Sequence, residues 1–177
     1  MSVENIPMDA RESEEFKHGS ARNELLATAE KPVFFSMRTR LVKSGRTNTP
    51  VCKTENMWGT MKVYASGGEN GLHAHTKQDH MFIVMQGSAR FYGPNGETRD
   101  VGVHEGVLLP KGCYYCFNAT SKEPLVLFRV GCHTEEAKDE SLPGRLDIKG
   151  GSLPGDHPDN AKGAKAAPLV YRDDWFE

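Results

Sequence analysis

The feature that most constrains this sequence is a train of short apolar runs between Met57 and Gly131, each closed by turn-forming residues. "MWGTMKVYAS", "HMFIVMQG", "SARFYG", "ETRDVGV", "GVLLP", "CYYCFNA" and "LVLFRVG" follow one another with Gly, Pro and Asn clusters between them. The first alternates as a half-buried strand does. Asn95-Gly96, inside "GPNGET", is a two-residue hairpin signal because both positions tolerate positive φ. Short strands at intervals of about 8–12 residues predict an all-β sandwich or barrel. Upstream, "VFFSMRTRLV" is rich in β-branched and aromatic residues and predicts a further strand.

Both ends have a different texture. Residues 1–31 are charged and read as an N-terminal arm with one short helix around "ARNELLATAE". Residues 32–133 hold the barrel domain. Residues 134–177 form an irregular tail, full of Gly, Pro, Asp and Lys, that cannot bury a core by itself. Its last stretch, "LVYRDDWFE", carries Val170, Tyr171, Trp175 and Phe176, which are costly to leave in water. That end is expected to dock on the barrel or on a second subunit.

A chain of 177 residues with 37% hydrophobic content suits one packed domain. The net charge of -2 gives no excess of positive charge for nucleic acid or an anionic membrane. No apolar run approaches the roughly 20 residues that span a bilayer, and the N-terminus shows no secretory h-region. Cys52, Cys113, Cys116 and Cys132 are therefore read as reduced thiols of a cytoplasmic protein. The CxxC formed by Cys113 and Cys116 lacks a second pair, and on a strand its thiols diverge.

Chemistry concentrates in "GLHAHTKQDHMF". Residues i and i+2 of a strand share a face, so His73 and His75 project together into the barrel. A turn at "TKQD" reverses the chain, and His80 opens the next strand. Phe82 and Val84 share its face, while Met81, Ile83 and Met85 lie on the other, so the strand is expected to be covered on both sides. Three imidazoles from two adjacent antiparallel strands could converge, each offering a neutral nitrogen to a divalent transition metal. Solvated histidines near a turn are the competing reading, which suits one histidine better than three at this spacing. His18, His104, His133 and His157 carry no such spacing.

"GGENGLHAHTKQDHMFIVMQG" resembles the first motif of the cupin superfamily: Gly, five residues, HxH, three or four residues, Glu, six residues, Gly. Gly67, His73, His75 and Gly87 match, and the Glu position falls on His80. Counted with three intervening residues it falls on Asp79, one residue too far from Gly87. "HEGVLLPKGCYYCFNA" is similar to the second motif through Pro110 and Gly112. There His104 stands at the motif's Gly, Tyr115 at its His, and the closing Asn is displaced to Asn118.

The resemblance covers roughly Trp58 to Gly131 and implies a single jelly-roll-like cupin β-barrel. It implies a mononuclear metal inside the barrel on His73, His75 and His80, with Asp79 as the alternative third ligand. Register favours His80, because a one-residue slip turns a side chain to the opposite face. Fe(II) is the first expectation, with Ni, Mn, Cu or Zn as alternatives. Tyr115, in the fourth ligand's place, ligates the metal, hydrogen-bonds a substrate or oxygen species, or simply fills the space beside a three-ligand metal. The implied activity is that of a non-haem iron dioxygenase-type oxidoreductase acting on a small organic acid, ketone or thiol. Tyr115 would be catalytic, and Phe82, Val84, Leu109, Phe117 and Phe128 would line the pocket. A non-catalytic small-molecule-binding cupin and a metal-dependent sugar or sugar-acid isomerase are the alternatives. A homodimer is expected through "VFFSMRTRLV", since an exposed apolar edge strand is a liability.

Overall fold

The computed structural model describes residues 32, 34–67, 71–154 and 167–177. The expected arm at 1–31, with its helix, lies outside the described residues. Twelve strands are named in chain order: β1 (Thr39–Ser44), β2 (Arg46–Lys53), β3 (Met57–Tyr64), β4 (His73–His75), β5 (Gln78–Gln86) and β6 (Ala89–Tyr92), then β7 (Thr98–Val101), β8 (Gly106–Leu109), β9 (Tyr114–Ala119), β10 (Leu125–His133), β11 (Arg145–Asp147) and β12 (Val170–Phe176). No helix among the described residues is long and apolar enough to cross a membrane.

Two five-stranded sheets, ordered β2-β3-β10-β5-β8 and β11-β4-β9-β6-β7, enclose a common core. Every pairing within them is antiparallel. Strand alternation decides what fills the space between them. Tyr64, Phe82, Val84, Leu125 and Leu127 from the first sheet meet Phe91, Tyr115 and Phe117 from the second. A hairpin forms around Asn95-Gly96, joining β6 to β7, but by a longer loop than the two-residue turn expected: Gly93 N–H bonds the Glu97 carbonyl at 2.9 Å, and of the pair only Gly96 takes positive φ, 84°.

A second apolar layer lies on the outer face of the first sheet. Met61, Val63 and Val126 pack there against Leu41 and Val42 of β1 and Val51 of β2. The final stretch of the chain completes this layer. β12 pairs antiparallel with β1, Thr39 opposite Phe176, and Tyr171 and Phe176 rest on the cluster. The guanidinium of Arg38 lies 4.6 Å from the Trp175 ring and that of Arg40 4.8 Å from the Tyr171 ring. β11, also from the segment expected as tail, extends the second sheet beside β4.

Three local features depart from expectation. β2 contains Pro50, which the sequence argues against in a strand. It is tolerated because β2 is an edge strand and the register slips between Pro50 and Cys52. The outer face of β5 is only partly covered, with Met81 37% exposed. His104, at the motif's Gly, takes φ 67°, the only positive φ at a non-glycine among the described residues.

Candidate functional site

β4 is only three residues long, yet it is fixed on both sides. His73 stands opposite Tyr115 of β9 and Asp147 of β11, and His75 opposite Arg145. All three β4 residues are buried. Lys77 and Thr76 then carry the chain across to the other sheet, where β5 pairs with β10 and β8. The three histidines therefore come from facing sheets and not from adjacent strands of one sheet, as expected. The short connection crosses the barrel instead of forming a hairpin.

Alternation nonetheless brings the rings together. The ring centroids of His73 and His75 are 5.1 Å apart and those of His75 and His80 4.1 Å. Tyr115 lies 4.8 Å from His73 and 6.2 Å from His75 by the same measure. All four side chains are nearly inaccessible. His73 Nδ1 is 2.9 Å from the Gly71 carbonyl, so Nδ1 carries the hydrogen and Nε2 the lone pair. His75 Nε2 is buried and makes no hydrogen bond. Burial pushes His75 far below the ordinary histidine pKa, helped by His80, Arg129, Arg145 and His73, so the ring is neutral.

His80 is held differently. Its Nε2 is 2.9 Å from Gln78 Oε1, and Arg129 Nη2 lies 3.0 Å from its Nδ1. Gln78 Nε2 in turn lies 3.2 Å from His133 Nδ1. In one proton arrangement Gln78 donates to His133, His80 Nε2–H donates to Gln78, and Arg129 donates to His80 Nδ1; Arg129 Nη2 also lies 3.2 Å from His80 Nε2, so its contact spans both ring nitrogens. Both His80 nitrogens are thus in use. Among the described residues no group of three or more His, Cys, Asp or Glu side chains is arranged to hold a metal ion. His73 and His75 have the donor chemistry a metal needs; His80 would first have to release Arg129.

Asp79 points elsewhere. Its Oδ1 accepts the Lys111 backbone N–H at 2.8 Å, away from the histidines, as its opposite parity to His80 requires. Phe128 also leaves the pocket. It lies on the outer layer, stacked 6.4 Å from Phe35, because Leu125, Leu127 and Arg129 take the inward positions of β10. Phe82, Val84, Leu109 and Phe117 face inward as expected but are packed core, and none of them lines the open cavity. Cys113 is exposed and Cys116 half-buried; both are free thiols.

That cavity, of about 440 Å³, is lined by Trp58, His75, Lys77, Gln78, Arg129 and Arg145 among others. Sequence reasoning missed all of these except His75. Arg129 carried a signal, as the one charged residue inside "LVLFRVG" and in step with the inward leucines. Its guanidinium carbon sits 4.9 Å from the Trp58 ring and 5.3 Å from Phe82. Trp58 can lie there because Gly131 stands opposite it on β10.

Residues 60–131 match the family model described as "Cupin domain". Among solved structures, the chain is similar to a conserved protein with a double-stranded β-helix domain from Klebsiella pneumoniae. The identity is 18%, with 60% of this chain and 88% of that one covered, at a TM-score of 0.51. The Cnp3 cupin domain of Schizosaccharomyces pombe is 16% identical, with 56% of this chain and 73% of that one covered, at a TM-score of 0.49. At 18% identity the likeness to the Klebsiella pneumoniae protein speaks for the fold alone. No curated protein matches the chain.

Proposed function

The chain belongs to the cupin superfamily through its barrel, and we propose that it is a metal-dependent enzyme of the non-haem iron dioxygenase type. Its substrate would be a small organic acid, ketone or thiol. The observation that carries the reading is the pair of buried imidazoles, His73 and His75, with ring centroids 5.1 Å apart. The Gly71 carbonyl orients His73, and His75 keeps Nε2 out of any hydrogen bond. These two would hold the metal, Fe(II) first and Ni, Mn, Cu or Zn as alternatives, with the Tyr115 oxygen as a further donor. Such a metal, when bound, supplies Lewis acidity and one-electron chemistry.

The chain's own residues do the remaining work. Phe82 and Phe117, with ring centroids 5.6 Å apart, pack the barrel behind Tyr115 and keep water from that side. When Tyr115 is not a donor to metal, its hydroxyl donates a hydrogen bond to a substrate oxygen. Burial keeps His75 unprotonated, so no proton competes for its lone pair at neutral pH.

The engagement of His80 by Arg129 and Gln78 favours a second reading, a non-catalytic cupin that binds a small molecule without metal. Metal analysis separates the two. Protein purified without chelator should carry close to one equivalent of metal, lost in His75→Ala, and should consume oxygen with one class among carboxylic acids, β-diketones and thiols. Metal far below one equivalent, unchanged in the variant, leaves the binding reading in place.

A further inference from the structure

We infer that β8 is the contact with a second copy of this chain: two β8 strands pair antiparallel across a twofold axis at Leu108. The pairing would join two five-stranded sheets into one of ten strands. It concerns the outside of the barrel and does not depend on the metal.

The sheet edges carry the first argument. Six of the described strands lie at an edge: β2 and β8, β7 and β11, β1 and β12. An open edge invites another chain, and charge or proline on the strand discourages it. Five of the six have that protection: β2 has Pro50, β7 Arg99, β11 Arg145, β1 Lys43 and β12 Arg172. β8, with the sequence GVLL, has neither charge nor proline. Its own barrel leaves the edge open. β7 ends the facing sheet without pairing with β8, and a cavity of about 110 Å³ is lined by both strands.

The outward face of β8 is apolar too. Leu108 is 67% exposed, and Met81, opposite it on β5, is 37% exposed. Half-buried Val130 stands beside Met81 on β10 and extends the strip. The layer built from β1 and β12 covers Met61, Val63 and Val126 of the same sheet and leaves Leu108 and Met81 outside it.

Charge selects a copy of this chain as the occupant. Two antiparallel β8 strands centred on Leu108 set Leu108 against its counterpart, Gly106 against Pro110, and Glu105 against Lys111. Glu105 and Lys111 are both exposed, so opposite charges meet at each end of the paired strands. The Glu105 carboxylate accepts the Gly102 N–H at 2.7 Å and Lys111 is ion-paired with Glu136, which anchors each side chain beside its end of β8. The backbone agrees. The Glu105 carbonyl accepts the Val84 N–H at 2.9 Å, so by alternation Gly106 and Leu108 turn their N–H and C=O groups to the open edge. Pro110, just past the strand, offers the carbonyl that the second copy's Gly106 N–H needs.

Light scattering and sedimentation of the full-length protein should give twice 19.6 kDa at about 50 μM. Leu108→Lys should weaken association at least about 30-fold. Glu105→Lys and Lys111→Glu should each weaken it about tenfold, and the double variant should return to within about threefold of the parent. In a Cys113→Ser, Cys132→Ser background, Leu108→Cys should give a disulfide-linked dimer on mild oxidation, since facing residues of such a pair lie about 5.5 Å apart at Cα. Val103→Cys, 46% exposed but away from the axis, should not. Thermal melts establish that Leu108→Lys folds, and the charge exchange decides the matter if it does not.

A parent that stays monomeric to about 200 μM overturns the inference, whether residues 1–31 or solvent then meets the face. So does a folded Leu108→Lys protein that keeps parental affinity, or a double charge variant no better than the singles. Leu108→Cys chains that link no faster than Val103→Cys chains also overturn it and move the contact elsewhere, with residues 32–44 as the next candidate.

Discussion

Replacing Gly131 by alanine tests how the site is built. Gly131 pairs with Trp58 across β3 and β10. A methyl group at Gly131 would fall 2.2 Å from Trp58 Cζ2 and 2.4 Å from Cε2. Both atoms belong to a rigid ring, so the whole indole has to move. It is also held 4.9 Å from the Arg129 guanidinium carbon, and its ring lies 5.5 Å from that of His80. Overpacking of this kind costs about 1–3 kcal/mol, and loss of the cation–π contact adds about 0.5–1 kcal/mol. In a chain of this length each kcal/mol moves Tm by about 2–4 °C, so Gly131→Ala, at about 1.5–4 kcal/mol in total, should lower Tm by about 3–16 °C.

Thermal melts of Gly131→Ala, Trp58→Ala and the double variant provide the assay. In the Trp58→Ala background the alanine should cost less than about 0.5 kcal/mol, because the three atoms its methyl would meet most closely all belong to the indole. If Gly131→Ala melts with the parent, or costs the same with and without the indole, the close approach of Trp58 to the β10 backbone is wrong.

Other outcomes follow from the same geometry. In chelator-treated protein, His75 stays neutral when folded, whereas unfolded it titrates near 6.5. Below pH 6.5 the unfolded chain gains a proton that the folded chain refuses, so denaturant stability should fall by up to about 1.4 kcal/mol per pH unit. His75→Leu should flatten that slope. His104→Gly relieves a left-handed backbone costing about 1–2 kcal/mol, offset by about 0.5–1 kcal/mol of glycine entropy; a lower Tm would contradict this. Phe176→Ala removes a partly buried ring from the β1–β12 contact and should cost about 1–3 kcal/mol in urea melts. Under a thiol reagent Cys113 and Cys132, both exposed, should react first. Cys116 should lag, since burial pushes its thiol pKa up.

The strands were readable because their signals are local. A period of two, with Gly, Pro and Asn between runs, needs no knowledge of the partner strand, and β3 and β5 to β10 all appear near where that pattern puts them. β2 escaped because a proline inside a strand is permitted only at an edge, and edges are a property of the finished sheet. β11 was invisible for another reason: three residues beside β4 have no periodicity to show. At the site, His73 and His75 were legible from their spacing. The state of His80 was not, since it depends on Arg129, 49 positions away. Phe128 was assigned by composition where parity should have decided. Counting by twos from Leu125 places Arg129 inside and Phe128 outside.

The pairing of β1 with β12 also bears on when this protein can become native. Strand Thr39–Ser44 lies over Met61, Val63 and Val126, and its only strand partner among the described residues is Val170–Phe176. During synthesis the barrel strands through β10 can assemble while the outer layer still waits for its last strand. A contact of this span closes late, because the whole intervening chain must first be ordered or looped out. Until then the hydrogen-bonding edge of β1 that β12 occupies is presented to whatever else is nearby. The interval between translating His133 and translating Phe176 is therefore when a nascent chain is most open to pairing with its neighbours on a polysome.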